Sequence, residues 1–269
     1  TSTGGRQVAR IANNSSNYGE TAKRTVAMQT RRSRWGNLVS FYSANKDLMA
    51  RAYERKGANL SDYNRFMQLN IPLATVSLVK DDFMRGMAIL QEYVIADGSL
   101  PAIDVAEVQE DGCVFNLLSK IDGEFADKTI GQVSVDLLDN NPQLQQGDQI
   151  TFVSYTNAGT TPSTIRIYRH LCEMTIDTKS AVSFGTLKYA NMVAGNGLKV
   201  VLAGDGDVFG QAIIHSRSVG GSLLVSRAKI TLNSDTLVRQ FSAPEAVKKA
   251  IDSYGVDSEK LLEPGSPQQ

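Results

Sequence analysis

The side chains that could hold a metal ion are few and are spread along the chain. His170 and Cys172 are two positions apart, so on a β-strand they would lie on one side and could share an ion. A zinc site needs three or four ligands, and only Cys113 and His215 remain as further nitrogen or sulfur donors. A buried structural cysteine and a histidine beside a polar neighbour explain the same pattern. We therefore predict no metal site and no cofactor.

A glycine-rich loop with the sequence GDGDVFG occupies residues 204–210. A phosphate-binding loop needs free backbone amides and a helix after the loop. Here Asp205 and Asp207 would repel a phosphate, and the next segment has strand character. A calcium loop would need an oxygen ligand where Phe209 stands. The pattern predicts a hairpin turn.

Catalytic motifs are absent from the sequence. There is no nucleophile elbow, no Walker loop and no zinc-protease motif, and the chain has only two histidines to act as a general base. We predict a protein that is not an enzyme and has no catalytic residues. The alternative is an enzyme that uses His170 or His215 as an acid and base in the mouth of a β-barrel.

The strongest functional pattern is a run of arginines beside the single tryptophan. Guanidinium groups bind phosphates or carboxylates in a bidentate manner, and an indole can stack on a base or pack against a protein. Trp35 falls in line with an apolar stripe, and we predict it to be a packing anchor. Solvated arginines without a partner are the plain alternative. The predicted charged contacts are Arg24, Arg31, Arg32, Arg34, Arg51 and Arg55.

The charges are divided unevenly along the chain. The whole sequence has 28 basic and 28 acidic residues, but residues 1–70 contain twelve Lys or Arg against four Asp or Glu. The remaining residues are correspondingly acidic. The basic part could bind nucleic acid, an acidic protein surface, or the acidic part of a neighbouring copy.

Length and composition indicate a protein with a core of its own. The chain has 269 residues, of which 42 % are hydrophobic, so disorder of the whole chain is excluded. No run of 18 apolar residues exists, and we predict no membrane span. No signal peptide is visible, which favours synthesis in the cytoplasm. Two cysteines do not form a disulfide framework.

The helical part of the chain is predicted from a spacing of about 3.6 residues that begins at Trp35. Gly36 is expected to divide this stretch into two helices, and Ser61 to cap a short helix that ends at Asn70. Short apolar runs bounded by turn residues then predict strands. The apolar positions of the first stretch are Leu38, Val39, Tyr42, Met49, Ala52 and Tyr53. The predicted strands are 73–79, 87–96, 101–108, 113–118, 149–156, 164–176, 198–203, 208–216 and 222–232.

Three local patterns complete the prediction. Gly220 and Gly221 indicate a β-hairpin, and residues 129–139 form either a helix or another strand. Ser242 and Glu245 form a capping box at the start of a helix. The fold class is α+β and mostly β, with a helical N-terminal segment, a sandwich-like or barrel-like β body and one C-terminal helix. The predicted divisions are a flexible arm (1–19), a basic helical segment (20–70), a β-rich domain (71–241) and a C-terminal helix with a tail (242–269).

Four stretches resemble an uncharacterised protein family found in Bacteroidetes and their phages. They are the sequence from Arg34 to Ile71, GSLPAI at 98–103, GDQITFV at 147–153 and the stretch at 209–232. The resemblance implies a basic N-terminus followed by a β-rich body, and it assigns no functional residue.

We predict a structural protein that self-associates or joins a large particle, such as a phage virion, with copies of itself or other structural proteins as partners. The alternative is a nucleic-acid-binding protein that uses the same basic helices.

Overall fold

The computed structural model describes residues 26–54, 60–159 and 165–254. It confirms the α+β class, with a helical N-terminal region, a β body of several sheets and C-terminal helices. The described helices are α1 (Val26–Ala44), α2 (Lys46–Met49), α3 (Asp62–Asn70), α4 (Lys80–Met84), α5 (Ile130–Asn140), α6 (Thr236–Ser242) and α7 (Pro244–Ser253). The described strands are β1 (Val94–Ala96), β2 (Val105–Gln109), β3 (Gly112–Leu118), β4 (Asp122–Glu124), β5 (Gln149–Ala158), β6 (Arg166–Thr175), β7 (Val193–Asn196), β8 (Lys199–Ala203), β9 (Phe209–Val219), β10 (Ser222–Val225), β11 (Ala228–Lys229) and β12 (Thr231–Leu232).

Two sheets and a layer of helices stack on one another. The inner sheet has the order β10-β9-β5-β6, with β12 also paired to β9, and the outer sheet has the order β2-β3-β8-β7-β4. Phe115, Phe152 and Leu202 belong to the core between the sheets, called here the inter-sheet core. The other face of the inner sheet packs against α1, α3 and β1, and this second cluster is the helix-side core.

The central strands of the inner sheet are buried on both faces. In β5, Ile150 and Phe152 contribute to the inter-sheet core, while Val153 and Tyr155 contribute to the helix-side core. Side chains alternate between the two faces of a strand, so a strand covered on both sides has a continuous apolar sequence. This explains why burial does not alternate along 150–156 and 209–216; the predicted strands at 149–156 and 208–216 are both confirmed.

The helical segment joins the β body through the helix-side core. Phe41 of α1 and Phe66 of α3 are fully buried, and the ring of Phe41 lies 5.5 Å from that of Tyr155 in β5. The predicted cap is confirmed, because the Ser61 hydroxyl accepts a hydrogen bond from the amide of Asn64. The predicted break at Gly36 is wrong, since α1 continues through it.

Two predicted strands are wrong: 73–79, and 87–96 except for β1 at its end. In the second segment, asparagine side chains take the place of a neighbouring strand. The side chain of Asn37 accepts a hydrogen bond from the amide of Ile89 at 2.7 Å and donates one to the carbonyl of Ile89 at 2.9 Å. Asn70 binds both backbone groups of Val94 in the same way. These side chains, called asparagine clamps here, satisfy buried backbone groups that would otherwise need a neighbouring strand. In the first segment, the amide of Leu78 donates to the carbonyl of Ser33 in α1.

Several other predictions are settled by the strand order. The hairpin at Gly220 and Gly221 is confirmed, with φ of +56° and +82°, and the stretch 222–232 is divided into three short strands. The loop at 204–208 is not a hairpin turn, because it leads from β8 in the outer sheet to β9 in the inner sheet. Residues 129–139 are helical and begin with a capping box of Thr129 and Gln132.

The C-terminal region contains two helices where one was predicted. Ser242 ends α6 and its hydroxyl donates to the carbonyl of Arg239, so the capping box predicted from Ser242 and Glu245 is wrong. Pro244 occupies the first turn of α7, where its missing N–H costs no hydrogen bond.

Candidate functional site

The predicted basic segment presents one exposed face on α1. Arg31 and Arg32 are exposed, and Trp35 is 43 % exposed. Residues three and four positions apart are neighbours on a helix, so both arginines lie on the same side of α1 as Trp35. We call Arg31, Arg32 and Trp35 the basic face.

The buried side of α1 differs from the predicted stripe. Trp35 lies off it, whereas Ser33, Asn37 and Phe41 are buried. The Ser33 hydroxyl donates to the hydroxyl of Ser77 at 3.0 Å. Ser33 and Asn37 are buried on this face because they bind the irregular chain at Ser77 and Ile89, and apolar periodicity does not reveal such polar positions.

The other predicted arginines lie apart from the basic face or outside the described residues. Arg24 and Arg55 fall outside the described ranges. Arg34 is half-buried, and its Nε has no hydrogen-bond partner among the residues that the structure describes. Arg51 is exposed beyond the C-terminal end of α1, with a left-handed φ of 68°.

An acidic surface lies on the opposite side of the molecule. Glu107 in β2 and Glu110 and Asp111 in the following turn are all exposed. β2 is an edge strand of the outer sheet, whereas α1 belongs to the helical layer on the far side of the inner sheet. The charge division along the sequence thus becomes a division between two outer layers of the fold. We call Glu107, Glu110 and Asp111 the acidic face.

A groove of about 390 Å³ follows the edge of the inner sheet at β6. One wall is Asp47 of α2, which forms two hydrogen bonds of 2.9 and 2.6 Å with the guanidinium of Arg169. The hydrogen bond from Arg169 lowers the pKa of Asp47. The other wall contains Tyr189, whose ring lies 4.5 Å from that of His170. The lining residues are Asp47, Arg169, Leu171, Glu173, Lys188 and Tyr189.

Both non-glycine residues with a left-handed backbone, among those described, line this region. Tyr189 has a φ of 58° and borders the groove, and Arg51 borders an adjoining cavity of about 320 Å³ that shares Asp47 and Glu173 with it. Left-handed backbone costs an ordinary residue about 1 kcal/mol, so the surrounding contacts must hold both residues in place.

A buried charged cluster joins β5 and β9 near their ends. Asp148 accepts hydrogen bonds of 2.7 Å from both Nε and Nη2 of Arg217, and its Oδ2 lies 2.7 Å from Nε2 of His215. Burial alone would raise the pKa of Asp148, but these bonds outweigh it and lower that pKa. Burial lowers the pKa of His215, against the opposing effect of Asp148. Because a carboxylate oxygen only accepts hydrogen bonds, Nε2 of His215 is the donor in this contact.

The sequence patterns did not indicate this cluster, because Asp148 precedes the predicted strand at 149–156 and Arg217 follows the predicted strand at 208–216. In β9 the two residues His215 and Arg217 lie on one face of the strand. The four residues considered for a metal site do not converge: among the described residues, no group of three or more His, Cys, Asp or Glu is arranged to hold an ion. Cys113 and Cys172 are buried, and burial raises the pKa of both thiols.

In comparisons with known proteins, no family model, no curated protein and no solved structure matches this chain. The resemblance to the family of Bacteroidetes and their phages stays a prediction. None of the described helices is both long and apolar enough to cross a membrane.

Proposed function

We propose that this protein is a non-enzymatic assembly protein whose copies associate head to tail, with the basic face of one copy against the acidic face of the next. The observation that carries the proposal is the placement of these two exposed surfaces on opposite outer layers. Charged residues of opposite sign on different patches favour a heterologous contact, which continues from copy to copy unless the rotation closes a ring. A particle such as a virion is one setting for such an assembly.

Trp35 gives this contact an apolar centre. Interface anchors are enriched in tryptophan and arginine, and energetically important residues cluster around them. The indole is 43 % exposed, and two exposed arginines lie one turn before it on the same side of the helix, which gives an apolar anchor with charges next to it.

The test reverses the charges on each face in turn. R31E/R32E should abolish large assemblies seen by light scattering, and so should E107K/E110K, because each variant places like charges in contact. An equimolar mixture of the two should recover association, since the altered basic face then meets the altered acidic face. R85E/K179E changes the same amount of charge at exposed positions elsewhere and serves as the control. Unchanged assembly of R31E/R32E would contradict the proposal.

A second candidate function is nucleic-acid binding by the same basic face, supported by the exposed indole beside arginines. Its affinity should fall steeply as salt increases, because bound phosphates release counterions. Fluorescence anisotropy with a labelled single-stranded oligonucleotide measures this directly. Binding that is lost in R31E/R32E, with an unchanged assembly mass, would favour this candidate over self-association.

A further inference from the structure

The edge strand β6 has a row of backbone groups that no described strand satisfies. In an antiparallel pair, alternate residues direct their N–H and C=O groups to the neighbouring strand. The amide of Ile176 donates to the carbonyl of Asp148 at 2.7 Å, and the pairing of β5 with β6 continues from there without a register shift. Even-numbered residues of β6 therefore bond to β5. The outward-facing residues are Ile167, Arg169, Leu171, Glu173 and Thr175.

The edge strands β2, β4 and β10 are shorter or less regular than β6, which makes them poorer templates for pairing with another chain. β2 has a register shift and exposed carboxylates, β4 has three residues with two carboxylates, and β10 has only four residues. Bulges, charges and short length are the usual protections of an edge strand. β6 has ten paired residues with no bulge and no proline.

The groove described above lies along this open edge. Its lining passes from Asp47 over Arg169, Leu171 and Glu173 to Tyr189. The backbone groups of the three β6 residues face outward between the two walls. An extended strand placed there would continue the inner sheet, as in recognition by β-strand addition.

The sequence of β6 is complementary to itself in one register. With a two-fold axis at Leu171, antiparallel pairing places Arg169 of one copy opposite Glu173 of the other, and the reverse pair forms by symmetry. Directly opposite side chains on paired strands are close enough for opposite charges to attract each other. An interface of two identical patches must be self-complementary in this way.

We propose that two copies of this chain pair through antiparallel β6 strands centred on Leu171. The inference rests on the proposed function of self-association and names a second contact surface for it. The strand pair is isologous and forms a dimer, whereas the head-to-tail contact of the basic and acidic faces would connect such dimers into larger assemblies.

Disulfide cross-linking tests the register. Two L171C chains place their thiols within disulfide distance across the axis. T175C lies on the same edge, but its two thiols would be roughly 26 Å apart. Both native cysteines are buried and do not compete. After mild oxidation, L171C should run at the mass of two chains and T175C at that of one. Single-chain mass for L171C, or equal cross-linking of both, would overturn the proposal.

A second variant avoids the partly buried Leu171. E173K changes an exposed side chain and places a lysine opposite Arg169 of the other copy, so the dimer should weaken about tenfold or more. D139K, at an exposed position of α5, provides the matched control. Sedimentation equilibrium measures both dissociation constants. Equal dissociation constants for E173K and the unaltered chain would also overturn the proposal.

R31E/R32E separates this inference from the proposed function. It removes the head-to-tail contact and leaves β6 unchanged, so a dimer should remain and L171C in this background should still cross-link. If the unaltered chain forms large assemblies but L171C does not cross-link, the strand pair is overturned and the proposed function is not. A single-chain mass of the unaltered protein at every concentration would overturn both.

Discussion

The two cores on either side of the inner sheet satisfy their buried polar groups by different means. In the inter-sheet core, regular strands pair with each other, and one buried side chain, Gln211, joins the two sheets. It accepts from the amide of Cys113 at 2.9 Å and donates to the carbonyl of Ala203. On the helix side, no strand of the described residues pairs with the chain from 87 to 92, and an asparagine clamp binds the backbone of Ile89 instead.

The difference shows that a side-chain amide can replace one rung of a β-ladder. An asparagine offers a donor and an acceptor at nearly the spacing of a backbone peptide group. Asn141 binds both backbone groups of Leu118 at 2.7 and 2.8 Å, so the clamp also occurs where a strand leaves its sheet. Irregular chain can thus lie against a core without unpaired groups.

The largest effect is expected at the clamp with the most partners. N37A leaves the amide and carbonyl of Ile89 and the hydroxyl of Tyr93 short of a bond, which should lower the free energy of unfolding by about 3–5 kcal/mol. Urea denaturation measures this. N116A, at an exposed asparagine bonded to Lys199, should change it by less than about 0.5 kcal/mol. Similar small effects of both would contradict the clamp's role.

A smaller loss is expected in the inter-sheet core. Q211L fills the same space but leaves the amide of Cys113 unpaired, at a cost of about 2 kcal/mol. The exposed change Q109L should have little effect, and urea denaturation of both variants gives the difference. A loss for Q211L that equals or exceeds that for N37A would mean that the two cores do not differ as described.

The smallest effect is a dependence on pH at the edge of the inter-sheet core. The pKa of His215 is lowered in the folded protein, so the unfolded chain takes up a proton first as the pH falls below about 6.5. The free energy of unfolding should therefore decrease over that range. It should decrease again below about pH 4, because the pKa of Asp148 is also lowered.

H215Q tests the first part of this dependence. Without a titrating imidazole at this position, the decrease that begins near pH 6.5 should diminish, while the decrease at acidic pH remains. H170Q changes the half-buried histidine at the groove and provides the comparison. Chemical denaturation at several pH values gives both curves. An equal slope in H215Q and the unaltered protein between pH 5 and 7, roughly the range in which a histidine titrates, would contradict the assignment.

Many helices and strands could be predicted from the sequence, but the groups to which their backbones bond in the fold could not. The strand at 149–156 and the cap at Ser61 follow from local patterns that the fold preserves. The segment 73–79 resembles a strand by composition, but its backbone bonds go to residues distant in sequence, such as Ser33. Propensity describes a residue's own preference, whereas the partner of a backbone group is decided by the whole fold.

The candidate sites show the same limit. The charges of Arg31 and Arg32 are evident from the sequence, yet the exposure of Trp35 depends on which side of α1 carries Ser33 and Asn37, which bind residues 77 and 89. The open edge at β6 depends on the order of strands in the sheet, which the apolar pattern of a single strand does not contain.

The burial of the inner sheet on both faces also determines when the chain can fold during synthesis. The ribosome makes α1 and α3 first, but the helix-side core that buries Phe41 and Phe66 also contains Ala212 of β9 and Ala228 of β11. At usual rates of translation, the interval is on the order of ten seconds. The aromatic faces of these helices are incompletely covered during it, which makes them a target for a chaperone while the chain is still growing.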